Sequence, residues 1–115
     1  MTEPSIFTRI RTGEIPGEIL AETERVFALR DIDPQAPVHL LVIPKTERYR
    51  DVTELAAGDP QLLAEMVAVA KSLAEEHANG EYRLIFNNGA SAAQSVFHVH
   101  AHVLANIEEN RLVGF

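Results

Sequence analysis

Ten residues toward the end of the chain, Ser95-Val96-Phe97-His98-Val99-His100-Ala101-His102-Val103-Leu104, hold three of its five histidines at alternate positions. Successive side chains of an extended strand point to opposite faces. A strand over Ser95–Leu104 therefore sets His98, His100 and His102 on one face, and Phe97, Val99, Ala101 and Val103 on the other. The second face is wholly apolar and suits packing against a helix. The first could be an ordinary solvated surface, but imidazoles change charge near neutrality, and Tyr, Thr or Lys would cover such a face with less trouble.

Two kinds of chemistry suit the imidazole face. Neutral imidazoles bind transition metals, and same-face neighbours about 6.5–7 Å apart at Cα can share an ion, with His39 available as a third ligand. Alternatively, one imidazole is a nucleophile while the others orient, polarise or receive protons. An unperturbed pKa near 6.5 makes imidazole a competent nucleophile at pH 7, and attack on phosphorus gives a labile N–P bond that water can reopen. The neighbours favour this second reading. Asn87, Asn88, Gly89, Ser91, Gln94 and Ser95 supply uncharged donors, whereas no Asp or Glu occurs from Tyr82 through Ile107 to help cage a metal. The small run Gly89-Ala90-Ser91-Ala92-Ala93 reads equally as a flexible connection or as a cradle of backbone amides for phosphate.

These groups need a scaffold. Asp59 as N-cap and Pro60 at the first helical position open a helix that runs to about His77. Its apolar residues Leu62, Leu63, Met66, Val67, Val69, Ala70, Leu73 and Ala74 follow a 3.6-residue period, and Asn79-Gly80 provides a left-handed stop. Further strands are expected at Glu24–Asp31, Val38–Pro44 and Tyr82–Phe86, with a shorter one around Glu18–Glu22 and a short helix within Pro4–Thr12. Loops are expected at Gly13–Gly17, Asp33–Pro37 and Gly58–Pro60. The implied class is α+β: an antiparallel sheet with one long helix packed on a face.

Composition bounds the partners. With 115 residues, 46% of them hydrophobic, the chain is expected to form a single domain with a true core. It has no cysteine, which excludes disulfides, Cys-ligated metal and a thiol nucleophile. The 17 acidic against 10 basic residues, a net charge of −7, argue against a nucleic-acid polymer as partner. No apolar run is long enough to span a membrane, and Met1-Thr2-Glu3-Pro4 lacks the features of a signal peptide, so a cytoplasmic location is expected.

The segment His98-Val99-His100-Ala101-His102-Val103-Leu104 resembles the His-x-His-x-His-x-x signature of the histidine triad superfamily. Asp31 through Lys45, Gln94-Ser95-Val96-Phe97, Ser5-Ile6-Phe7 and Glu14-Ile15-Pro16 are similar to the corresponding blocks of its Hint branch, the histidine triad nucleotide-binding proteins, over roughly residues 5 to 105. The resemblance implies a five-stranded antiparallel sheet, a homodimer, and a nucleotidyl hydrolase that releases a nucleoside monophosphate such as AMP from a purine nucleoside phosphoramidate, without a cofactor. It implies that His100 is the nucleophile and that His98 and His102 flank it. His39 completes the polar network, and Asn87, Gln94 and Ser95 hold the phosphate or leaving group. Asp31 would receive the ribose hydroxyls, a pairing carboxylates make with nucleotide sugars, and Phe7, Ile10, Leu29 and Ile32 would wall the base. Some members bind zinc through a Cys-x-x-Cys near the N-terminus; the aligned stretch here is Ser5-Ile6-Phe7-Thr8, so no metal is expected. The stretch from Asn106 to Phe115 departs from the family ending and, with Arg30, leaves the leaving group open. A nucleotide-binding regulatory module with negligible turnover and a histidine-based metal-binding protein are the rival readings.

Overall fold

A computed structural model describes residues 3–107. In chain order the elements are α1 (Ile6–Arg11), β1 (Ile19–Glu22), β2 (Val26–Arg30), β3 (Val38–Pro44), α2 (Val52–Gly58), α3 (Pro60–His77), β4 (Arg83–Ile85) and β5 (Ala101–Ala105), with a 3-10 turn at Ala90–Ala92. The strands form one antiparallel sheet in the order β1-β2-β3-β5-β4, the expected α+β class. None of the described helices is long and apolar enough to cross a membrane.

The pleat sorts this sheet into two chemically different faces. Val26 and Ala28 of β2, Leu40 and Val42 of β3, and Ala101 and Val103 of β5 pack with Leu55 of α2 and with Leu62, Met66, Ala70 and Leu73 of α3. Complete burial of one of these Val, Leu or Met side chains contributes about 1.5–3 kcal/mol. Phe27, Leu29, Leu41 and Ile43 point the other way and meet Phe7 from α1. Every residue of β3 is buried because both faces are covered, which explains its unbroken apolar run. The central histidines lie on the α1 side.

Three expectations change. First, the strand expected over Ser95–Leu104 pairs only from Ala101, so His98 and His100 lie ahead of it, with a bend at Phe97–His98. The ladder with β3 stops at the Val42–Ala101 pair, where the approach to Pro44, which has no N–H to donate, ends the repeat. The amide of Val99 goes instead to the carbonyl of Tyr49 at 3.1 Å. The alternation survives for Val99, Ala101 and Val103, which reach the helix-side core, but Phe97 is half exposed. Second, α3 buries a narrower stripe than its periodicity suggested, with Val67 turned to solvent. Third, α2 occupies a stretch to which the sequence pattern assigned no element, and the loop expected at Gly58–Pro60 shrinks to Asp59, which caps α3 directly after α2. Asp51 accepts from the amide of Glu54, while Glu54 accepts from the amide of Arg50. This reciprocal cap is close to the Asp-x-x-Glu pattern of a helix start.

Arg25, in the turn between β1 and β2, pairs with the Asp59 cap at 2.8 Å and with Glu65 at 2.5 Å, fastening that turn to the start of α3. At the junction of α2 and α3, a Cβ added to Gly58 would stand 2.5 Å from Cε1 of the buried Tyr49 ring. Helix propensity alone favours alanine at this position. Overpacking outweighs it: Gly58→Ala should destabilise the chain by about 1–3 kcal/mol, read as a lowered urea midpoint at unchanged slope. A raised midpoint would show that the Tyr49 ring moves aside freely.

Candidate functional site

The α1 face of the sheet gathers Asp31, His39, His98, His100 and His102. Asp31 follows β2 and its amide bonds the His39 carbonyl at 3.0 Å, setting the two side by side across the hairpin. His102 sits on β5 opposite Leu41, two residues along β3 from His39. Phe7 of α1 closes this face. Its ring lies 5.8 Å from that of His98 and 4.8 Å, edge-on, from that of His100, which is in turn 5.3 Å from His102. His39, His98 and His100 are buried and His102 is half-buried.

Burial lowers all four imidazoles from the usual histidine range. For His39 the carboxylates of Asp31 and Asp33 oppose that effect without overcoming it. His102, close to both His100 and His39, is pushed down to about 4. The cluster is therefore neutral at pH 7, and each ring carries a single proton.

Hydrogen-bond partners assign that proton. His98 Nε2 lies 2.7 Å from the Pro44 carbonyl, which can only accept, so Nε2 carries the hydrogen and Nδ1 accepts from Ser5 Oγ at 2.5 Å. His100 Nδ1 donates to the His98 carbonyl at 2.9 Å, which leaves a lone pair on Nε2. His39 Nδ1 accepts from the amide of Gln35 at 3.0 Å, so its hydrogen is on Nε2, 2.9 Å from His102 Nδ1 and 3.3 Å from Asp31 Oδ2. Donation to His102 Nδ1 then places the His102 proton on Nε2. The arrangement leaves a lone pair on His100 Nε2 and puts the His102 hydrogen on Nε2.

The remaining expected residues are placed as follows. Leu29 and Phe7 are buried, Ile10 is half-buried beside them, and Ile32 is 93% exposed. Gln94 is buried: its Oε1 accepts from the amide of Gly89, and its Nε2 donates to the carbonyls of Arg50 and Val96. Both of its N–H groups therefore brace the loop entering the histidine segment. Asn87 is half-buried and Ser95 exposed, while Asn88 accepts from the amide and hydroxyl of Thr53 at the start of α2. The small run is not an open amide cradle, because the amides of Ala92, Ala93 and Gln94 bond back to Gly89 and Ala90. Arg30 is held by Glu18, and Lys45 by Glu22. His77 is the last residue of α3. The divergent ending from 108 onward lies outside the described residues. Ser5 and Glu47, which sequence reasoning did not single out as site residues, join the cluster through His98.

Metal chemistry meets two obstacles. One ligand atom from each of Asp31, His39 and His102 lies within 4.8 Å of the others, so a carboxylate absent from the local sequence does arrive from another strand. A metal-bound imidazole, however, normally donates from its other nitrogen, and His39 Nδ1 faces the N–H of Gln35. Coordination through Nε2 would have to break that bond. The Ser5-Ile6-Phe7-Thr8 corner also does not fit zinc, which favours thiolate and imidazole. Ser5 and Thr8 offer neutral hydroxyls, already engaged with His98 and Glu47.

Residues 12–109 match the HIT domain family. The chain is 41% identical over 106 residues to the purine nucleoside phosphoramidase of Escherichia coli, covering 90% of this chain and 88% of that protein. It is 40% identical over 111 residues to the 14 kDa zinc-binding protein of Zea mays, covering 93% and 85% of the two chains. Among solved structures, a HIT family hydrolase from Clostridium thermocellum superimposes with a TM-score of 0.86 at 39% identity over 96% of each chain. Matched along most of its length in sequence and fold, with the alternating histidines gathered on one face, the chain belongs to the HIT domain family.

Proposed function

We propose that the chain is a hydrolase of purine nucleoside phosphoramidates, releasing a nucleoside monophosphate such as AMP through a covalent nucleotidyl-His100 intermediate. The observation that carries this reading is the fixed tautomer of His100: a neutral imidazole whose Nδ1–H is held by the His98 carbonyl and whose Nε2 lone pair is the nucleophile. The 41% identity to a purine nucleoside phosphoramidase supports the substrate class.

In the first step His100 Nε2 attacks phosphorus, the N–P bond to the ring forms, and the P–N bond to the amine breaks. The amine leaves with the bonding pair and a proton from water. As the ring becomes positive, its Nδ1–H bond to the His98 carbonyl strengthens, an interaction larger in the transition state than in the ground state. His102 Nε2–H donates to a phosphoryl oxygen, while His39 holds His102 in the tautomer that allows it. In the second step water attacks phosphorus, the Nε2–P bond breaks, a proton passes to solvent and neutral His100 is restored.

Asp31 retains acceptor capacity for the ribose hydroxyls beyond its bond from the Asp33 amide. Phe7, Ile10, Leu29 and Ile32 form the base side of the site, and Asn87 and Ser95 the phosphate side. Gln94 acts there through the loop it braces. A homodimer belongs to the same reading; a second copy could extend the sheet only at its edge strands, β1 or β4.

His100→Ala should lower turnover of an adenosine phosphoramidate by roughly 10³-fold or more while AMP binding persists. Near-normal turnover in that variant would remove His100 as nucleophile, and an inactive wild type that still binds AMP would make the chain a binding module. Ile32→Ala should raise the AMP Kd several-fold without changing thermal stability, since a side chain 93% exposed adds little to folding; unchanged affinity would remove Ile32 from the base wall. Acid should inactivate the enzyme by protonating the nucleophile. Because burial depresses its value, the acid limb of kcat/KM should fall below the ordinary histidine value of about 6.5. Folding stability should weaken in the same direction, since the unfolded chain takes up protons near 6.5 that the folded one refuses until lower pH. A limb centred at 6.5 or above would contradict the buried, neutral cluster.

A further inference from the structure

A second cluster stands behind the nucleophile. Ser5 Oγ contacts His98 Nδ1 at 2.5 Å and, as N-cap of α1, accepts from the amide of Thr8 at 3.2 Å. The Glu47 carboxylate spans the same helix start: Oε1 accepts from the amide of Ser5 at 2.8 Å, and Oε2 from the Thr8 hydroxyl at 3.0 Å. The hydroxyl of Ser5 has one hydrogen. Since His98 Nδ1 must accept, that hydrogen goes to His98, and the longer 3.5 Å approach to Thr8 Oγ1 is left without it.

We propose that Ser5 and Glu47 are positioning residues that set the aim of His100 through His98. His98 is gripped at both ring nitrogens, by Ser5 on one side and by the Pro44 carbonyl on the other. Its own backbone carbonyl is the acceptor that orients His100. Fixing the His98 ring therefore fixes the carbonyl that holds the nucleophile, in a segment that lacks the sheet ladder to do so. Glu47 locks Ser5 by its backbone and Thr8 by its hydroxyl, so the start of α1 cannot swing away. The same helix carries Phe7, whose ring contacts both histidines. His98 serves as a relay of geometry, touching neither the phosphorus nor the leaving group.

The proposal rests on His100 being the nucleophile, and its test separates the two. Ser5→Ala should lower kcat for an adenosine phosphoramidate about tenfold, the loss of roughly one hydrogen bond to the positioning network, with KM changed less than about threefold. Ser5→Thr, which keeps the hydroxyl, should recover kcat to within about threefold. Glu47→Ala, which keeps the Ser5 hydroxyl but removes its anchor, should give a smaller loss of kcat in the same direction. Nitrogen-15 NMR of the uncomplexed protein supplies a readout independent of turnover. In wild type and Ser5→Thr, His98 should show a protonated Nε2 and a hydrogen-bonded Nδ1. In Ser5→Ala the Nδ1 signal should move to the position of an unbonded nitrogen. Wild-type kcat in Ser5→Ala, an unmoved Nδ1 signal, or a loss that Ser5→Thr fails to rescue would each overturn the proposal. An inactive wild type with the expected Nδ1 shift would instead overturn the functional reading and leave the His98 clamp standing.

Discussion

A buried neutral imidazole is stabilised by an acceptor for its N–H and a donor for its other nitrogen, because an unpaired polar group in a low-dielectric interior costs about 1–3 kcal/mol. Three of the four histidines on the α1 face are buried. Each therefore constrains the backbone or side chain beside it. The Pro44 carbonyl and Ser5 take His98, the Gln35 amide takes His39, and the His98 carbonyl takes His100. The same bonds that make burial tolerable leave a lone pair at His100 Nε2, the atom on which the proposed chemistry rests.

The rest of the fold serves that requirement. β3 and β5 lie side by side at the middle of the sheet, with apolar residues on the α3 face and the histidines on the other. Pro44 ends β3 and, lacking an N–H, releases the chain between Gln94 and His100 from the ladder. Its carbonyl and that of Tyr49 then become the anchors of the released segment. Gln94 closes the near end of this segment by tying Gly89, Arg50 and Val96 together. The histidine segment outside the regular ladder is thereby held by side chains and single carbonyls.

Much of this scaffold is legible in the sequence where local chemistry decides. The β3 boundaries follow from an apolar run ended by a proline, and α3 follows from its cap and period. α2 escapes because seven residues give too short a period to read, although Asp51 and Glu54 mark its start. The expected length of β5 is too great because alternation reports which face a residue takes, not whether a neighbouring strand is there to bond it. The absence of acids from Tyr82 through Ile107 hides the contribution of Asp31, which arrives across the β2–β3 hairpin.

By itself the sequence determined which side chains share a face. The two-residue repeat of an extended chain is a local property, and it separates His98, His100 and His102 from Val99, Ala101 and Val103 wherever that segment lies. Only the tertiary structure decided which nitrogen of each ring carries its proton, and so which nitrogen keeps a lone pair. That choice belongs to partners remote in the chain: Ser5 is 93 positions from His98, Pro44 is 54, and His39 is 63 from His102. Residue type and spacing supply the imidazoles, whereas a tautomer exists only once folding has brought a particular carbonyl, hydroxyl or amide within hydrogen-bonding distance.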